Sequence, residues 1–403
     1  MSKRDLKISE GSLPDRGQVI PYGRQDINQD DIDAVVEVLR SDWLTQGPVL
    51  PRFEAAVAGY CGASYAVAVN SGTSALHLAC AALGLGPGDW LWTSPISFVA
   101  SANCARYCGA GVDFVDIDPR TGNMSVAALE SQLAMAERQG RLPKAVIPVH
   151  FAGLSCDMKT IGQLAERFGF AVIEDACHAL GGSYRGRKVG SCRYSDLSVF
   201  SFHPVKSITT AEGGMVLTND QALYDRLCLL RTHGITRDEG RMTGESDGPW
   251  YYQQIDLGWN FRLNDMQAAL GLSQMKRLDE FVSRRESLAR RYDDRLEGLA
   301  VRLPGRQPDA ESAWHLYVIR LELDRIGRGR RQVLASLREA GIGVTVHYIP
   351  IHLQPYYQAL GFRAGQFPEA ERYYAEALTL PLYFRLTEDD QDRVVKVLTE
   401  SIA

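Results

Sequence analysis

The sequence predicts an α/β protein: an open, mainly parallel mixed sheet between helices, followed by a smaller C-terminal α/β unit. Three observations carry this. Between residues 63 and 231 short apolar runs alternate with helical patterns. Those runs show hardly any polar alternation, as expected of strands covered on both faces. Beyond residue 278 a long, charged amphipathic helix leads into a second, shorter series of strands and helices.

Taken in order, "YAVAVN" (65–70) reads as a strand and "SALHLACAAL" (74–83) as the helix behind it. "DWLWTSP" (89–95) and "GVDFVDID" (111–118) read as strands around the helix "FVASANCARYC" (98–108). "KAVIPVH" (144–150), "FAVIED" (170–175), "SDLSVFSF" (195–202) and "GMVLTN" (214–219) continue the series. In such a sheet, ligands bind at the carboxyl ends of the strands. The helix "LDEFVSRRESLARRYDDRLEGL" (278–299) bridges to "WHLYVIRLEL" (314–323), a strand, "GRRQVLASLREAG" (329–341), a helix, and "IGVTVHYIP" (342–350), a strand. The expected division is an irregular arm at residues 1–18, a large domain at 19–277 and a small one at 278–403.

Composition narrows the function classes. The chain has 403 residues, 45% hydrophobic and 23% charged, with a net charge of −5, so no basic surface recruits nucleic acid or anionic lipid. The polar opening "MSKRDLKISEGSLPDRGQ" lacks the apolar core of a signal peptide, and no apolar run approaches the roughly 20 residues a membrane helix needs. The eight cysteines form no CxxC pair; Cys104 and Cys108 share a helix face without a second pair to complete a zinc set. No metal is expected, and the cysteines read as reduced, small apolar residues of a cytosolic protein.

The chemistry gathers at strand ends. In "VNSGTSALHL" a strand gives way to a Gly/Ser/Thr turn and a helix start, where free N–H groups and the helix dipole suit an anion. A plain N-cap would look the same. In "VIEDACHALGG" Glu174 and Asp175 end a central strand, one facing each side. Such an acid can cap a helix, hold a cation, or keep a ring nitrogen protonated. His178 alone would read as a core histidine. "SVFSFHPVKSITTAEGGM" (198–215) then places Lys206 among apolar residues and the hydroxyls Ser201, Ser207, Thr209 and Thr210, with Gly213 and Gly214 allowing close backbone approach. A buried amine sheds its proton and becomes a nucleophile. An anion cradle, an acid, an imidazole and a buried amine on successive strand ends match the needs of pyridoxal 5′-phosphate.

On these motifs, together with "WLTQGP", "TSPISFVASAN", "GWNFRLNDMQAALG" and "VHYIPIHLQPYY", the chain resembles the DegT-family nucleotide-sugar aminotransferases over nearly all of residues 19–398. The resemblance implies the aspartate aminotransferase fold (fold type I) and pyridoxal 5′-phosphate as cofactor. It implies that Lys206 forms the Schiff base and shuttles the proton, that Asp175 partners the pyridinium nitrogen, and that His178 lies beside the ring hydroxyl. Gly72, Thr73, Ser74 and Ser201 match phosphate contacts, and Phe98 matches the aromatic that stacks on the ring. Asn260 and Arg262 match residues that reach the neighbouring subunit's site, implying a homodimer with shared sites. Sugar-nucleotide contacts fall on Tyr22, on the turn Leu44, Thr45, Gln46 and Gly47, and on His347 and Tyr348.

The wording "SPISFVA", "KSITTAEGG" with Ala211 where many relatives have glycine, and "NFRLNDMQAALGLSQ" is similar to the branch serving pseudaminic acid biosynthesis. That branch aminates a UDP-linked 4-keto-6-deoxy-N-acetylhexosamine of the L-altrose type, here with glutamate as the expected donor. Two alternatives stand beside it. One is another UDP- or dTDP-linked keto-sugar 4- or 3-aminotransferase; the other is a non-catalytic pyridoxal-binding regulator. Related dehydratases carry histidine in place of the lysine, so Lys206 disfavours dehydration.

Overall fold

The structure, a computed structural model, describes residues 19–403; the expected arm at 1–18 lies outside them. The elements of the first part are α1 (Gln29–Leu39), α2 (Val49–Cys61), β1 (Tyr65–Val69), α3 (Gly72–Ala82), β2 (Trp90–Thr93), α4 (Ala100–Tyr107) and β3 (Gly111–Phe114). They continue with α5 (Val126–Arg138), β4 (Ala145–Ile147), α6 (Met158–Phe168), β5 (Ala171–Asp175), β6 (Leu197–Ser201), β7 (Gly214–Thr218), α7 (Gln221–Arg231) and α8 (Asp265–Met275). The seven strands form one sheet in the order β1-β7-β6-β5-β4-β2-β3. Neighbours from β3 to β6 pair in parallel, while β7 runs antiparallel to both β6 and β1.

Alternation along each strand sends side chains to opposite faces. Val67 and Val69 of β1 and Ile173 of β5 join the core under α3, α4 and α7. Ala66 and Ala68 pack on the other face with α2 and α8, and Val172 with α5 and α6. Both faces being dry explains why the strands read as continuous apolar runs.

Helix α9 (Leu278–Leu296) leads to β8 (Val301–Arg302), β9 (Tyr317–Leu321), α10 (Arg330–Glu339), α11 (Pro368–Glu376), β10 (Ala377–Leu380) and α12 (Glu388–Ile402). The three strands form an antiparallel sheet in the order β8-β9-β10. Leu278 and Phe281 of α9 pack in a core of the first part. Its later residues Leu288, Ala289, Tyr292 and Leu296 pack with the second sheet, and Ile20 joins them there.

One expected element is absent. Residues 342–350 do not form a strand; they make only isolated bridges, Ile342 with Ile20 and Thr345 with Thr379. The carbonyl of Val344 is taken by the Arg338 guanidinium at 3.0 and 3.1 Å, and the chain around Ile20 crosses close over Gly343. Side-chain capture of a carbonyl interrupts the ladder that the apolar pattern suggested.

Candidate active site

The carboxyl ends of β1, β5 and β6 meet at one cavity of about 460 Å³. Its first wall is the start of α3. Ser71 caps that helix, its Oγ accepting the Ser74 N–H at 3.1 Å. The N–H groups of Gly72 and Thr73, in the first turn, make no hydrogen bond to another described residue, as helix starts require unless a ligand or water meets them. Ser71, Gly72 and Thr73 line the cavity with Ser201. Ser74, expected among the anion contacts, does not: its hydroxyl is turned to Ser71 Oγ at 2.9 Å, and Ser71 takes the place on the wall.

Two glycines allow this wall to form. Gly214 pairs with Val69 on one side and Ser201 on the other. A Cβ on Gly214 would sit 2.4 Å from the Ser71 carbonyl oxygen and 2.8 Å from the Gly72 nitrogen. A Cβ on Gly72 would sit 2.9 Å from that of Ser201. The reversed strand therefore lies directly against the helix start.

At the end of β5 the two acids diverge as the strand period demands. Glu174 turns away, bonding His150 Nε2 at 2.7 Å and the Ser195 hydroxyl. Asp175 turns to the cavity, where Ser101 Oγ donates to Oδ2 at 2.6 Å and the Cys177 N–H donates to Oδ1 at 3.2 Å. Both donors fix the carboxylate plane.

Lys206 comes from the connection between β6 and β7. It lines the cavity, and its Nζ makes no hydrogen bond to another described residue. Burial lowers its pKa from the ordinary lysine value. The neighbouring hydroxyls brace the loop instead of solvating the amine. Thr209 Oγ1 donates to the Phe202 carbonyl and accepts the Ala211 N–H, and Thr210 Oγ1 donates to the Glu212 carbonyl.

His178 is buried in the same cavity. Its Nδ1 accepts the Ala152 N–H at 3.3 Å, so the neutral ring carries its proton on Nε2, 3.2 Å from Tyr348 Oη. Burial, with Lys206 nearby, holds its pKa well below the usual histidine range. Tyr22, His347 and Tyr348 complete that side; the rings of Tyr22 and His347 lie 5.7 Å apart. Burial pushes His347 down to about 4. Phe98 stands at the mouth, 59% exposed.

Other expected contacts lie elsewhere in this chain. The turn from Leu44 through Thr45 and Gln46 to Gly47 is tied to the start of α8: Asp265 Oδ2 accepts the Gly47 N–H at 2.9 Å, and the Leu44 carbonyl accepts the Asp265 N–H at 3.1 Å. Asn260 and Arg262 bridge to Thr232 and Val69. None of these six residues lines the cavity. Sequence reasoning also missed Ser101, Glu212 and His315, all on its wall. Ser101 had a readable signal, a hydroxyl on the first turn of α4 aimed at the strand ends; His315 sits inside an apolar run and had none.

Comparison with known proteins places this geometry in context. The profile of the DegT/DnrJ/EryC1/StrS aminotransferase family matches residues 25–399. Spore coat polysaccharide biosynthesis protein SpsC of Bacillus subtilis is 41% identical over 392 residues, 96% of this chain and 98% of that one. The structure of Helicobacter pylori PseC, an aminotransferase involved in the biosynthesis of pseudoaminic acid, superposes with a TM-score of 0.87 at 32% identity, covering 95% of this chain and 99% of that one. The PLP form of the putative sugar aminotransferase Spr1654 of Streptococcus pneumoniae gives 0.85 at 30% identity, covering 95% and 98%.

Proposed function

Because the chain belongs to the DegT/DnrJ/EryC1/StrS aminotransferase family, and so is a sugar aminotransferase of fold type I using pyridoxal 5′-phosphate, we propose its substrate and the division of labour in its site. The substrate is a UDP-linked 4-keto-6-deoxy-N-acetylhexosamine of the L-altrose type, aminated at C4 with glutamate as donor, in pseudaminic acid biosynthesis in the cytoplasm. Among the described residues no helix is long and apolar enough to cross a membrane. The observation that carries the reading is Lys206: an amine without a hydrogen-bond partner among the described residues, sharing a cavity with Asp175 and the open amides of Gly72 and Thr73. Those groups fit a phosphorylated pyridine aldehyde: donors for a dianion, a carboxylate for a ring N–H, and a nucleophile.

When bound, the cofactor supplies a carbonyl that holds the transferred nitrogen and a ring that draws electrons from the carbon losing its proton. The Gly72 and Thr73 amides, with Ser71 and Ser201 hydroxyls, bind the phosphate at the positive end of α3. The Asp175 carboxylate, oriented by Ser101 and Cys177, faces the ring nitrogen and keeps its proton in place. His178, its Nε2–H directed to Tyr348, would lie beside the ring hydroxyl, and Phe98 would cover a ring face. Lys206 Nζ, its pKa lowered by desolvation, would carry the donor's α proton to the cofactor's C4′ carbon and, in the sugar half-reaction, a C4′ proton to the sugar carbon that gains nitrogen. Asn260 and Arg262 serve the site of a second copy, which makes the working unit a homodimer.

A second reading, another UDP- or dTDP-linked keto-sugar 4- or 3-aminotransferase, is favoured by the higher identity to SpsC than to PseC. A panel of keto-sugar nucleotides with glutamate, products identified by mass and NMR, decides between them. The proposal expects fastest turnover on the L-altro 4-keto sugar and none with Lys206→Ala. Preference for a different keto sugar overturns the substrate assignment.

A further inference from the structure

His315 lies on the cavity wall, buried, with its ring centroid 4.3 Å from that of His178. The main chain around it is held by Arg285, whose Nη1 donates to the carbonyls of Trp314, His315 and Leu382. The ring is thus placed by a fixed backbone and a neighbouring ring tilted by 44° against it. Neither ring nitrogen hydrogen-bonds another described residue, and Nδ1 is sealed from solvent as well.

A buried polar atom without a partner is destabilising, so a leucine or phenylalanine would hold this position at lower cost. The less costly tautomer leaves a bare lone pair on sealed Nδ1 and puts the proton on Nε2. With Cγ attached to the chain and Nδ1 sealed, Nε2 is central to the edge that remains for the cavity. His178 directs its own Nε2–H to Tyr348, so that of His315 is unspent. Burial and the surrounding nitrogen bases, His178, Lys206, Arg285 and His347, all hold the His315 pKa well below the usual range. A bound anion would relieve that crowding. Among the described residues of this chain no arginine lines the cavity to do the same work.

Resting on the aminotransferase reading, we propose that His315 Nε2–H binds a carboxylate of the amino donor, making this imidazole the residue that selects acidic donors. The phosphate has its own donors at α3, and the keto sugar brings no carboxylate. The sugar half-reaction therefore does not depend on His315.

The test uses reconstituted holoenzyme. Calorimetric titration with glutarate, an unreactive dicarboxylate, reads binding. The rate at which the visible cofactor band is lost with glutamate reads the donor half-reaction, and its return with the keto sugar reads the other. His315→Phe keeps the ring packed on His178 but removes the donor; His315→Gln carries an amide N–H near the Nε2 position. His315→Phe is expected to weaken glutarate and glutamate binding by about tenfold to a hundredfold, the range for a lost hydrogen bond to a charged group. His315→Gln is expected to restore most of it, and the sugar half-reaction to stay within about threefold in both. Unchanged glutarate binding in His315→Phe, equal losses in both halves, or no recovery in His315→Gln overturns the assignment. A wild-type holoenzyme whose band responds to no amino acid instead overturns the aminotransferase reading beneath it.

Discussion

His178, His315 and His347 have a consequence for the protein without cofactor. In the unfolded chain these rings take up protons near pH 6.5. In the folded protein His347 resists until about 4, and burial holds the other two well below the usual histidine range. The unfolded state therefore binds more protons throughout that window, so the stability these rings contribute is full above about pH 6.5 and drains away as pH falls toward 4. The melting temperature of the apoprotein is expected to drop between pH 7 and pH 5, and to drop less in His347→Asn. Equal drops would remove His347 from the account. At this scale the sequence was readable where a residue broke its local pattern. Lys206 stood out as a charge in an apolar run, and Asp175 and Glu174 as acids at a strand end. His315, within "WHLYVIRLEL", looked like any aromatic of a buried strand. Ser71 and Ser74 could not be told apart, because only the backbone turn decides which hydroxyl caps and which faces the ligand.

Among elements, the contact of α3 with β7 makes a sharp prediction. A methyl group at residue 214 meets backbone on the opposing side, Ser71 and Gly72, rather than a side chain that could swing away. Gly214→Ala is expected to cost more than about 3 kcal/mol and to abolish cofactor retention, measured by denaturant titration and by absorbance after gel filtration. A well-folded variant that keeps its cofactor would show that the helix start can retreat. The strands themselves were legible from continuous apolar runs, because both faces of the sheet are dry. Residues 342–350 carried the same kind of pattern and misled. Their fate is set by Arg338 and by the chain near Ile20, contacts with no trace in the local periodicity.

For the whole molecule, Trp43, Leu44, Phe98, Trp250 and Leu257 are large apolar side chains left exposed in the single chain. The proposed dimer makes a direct forecast. If Arg262 acts in the neighbour's site, co-expressed Lys206→Ala and Arg262→Ala chains give a mixed dimer with one intact site. Activity of about a quarter of wild type is then expected from statistical pairing of two variants inactive alone. Absence of recovery would place Arg262 in its own subunit's chemistry or in none.

Strand β7 enters the sheet between β1, which precedes it by about 145 residues of chain, and β6. Until it does, β1 has no neighbouring strand in the sheet and the phosphate-holding turn has no strand behind it. Insertion of this strand is thus the step that couples β1 to the rest of the sheet. Competence to retain the coenzyme arrives with completion of the sheet's hydrogen bonding, so acquisition of its colour during refolding times the closing of the last gap.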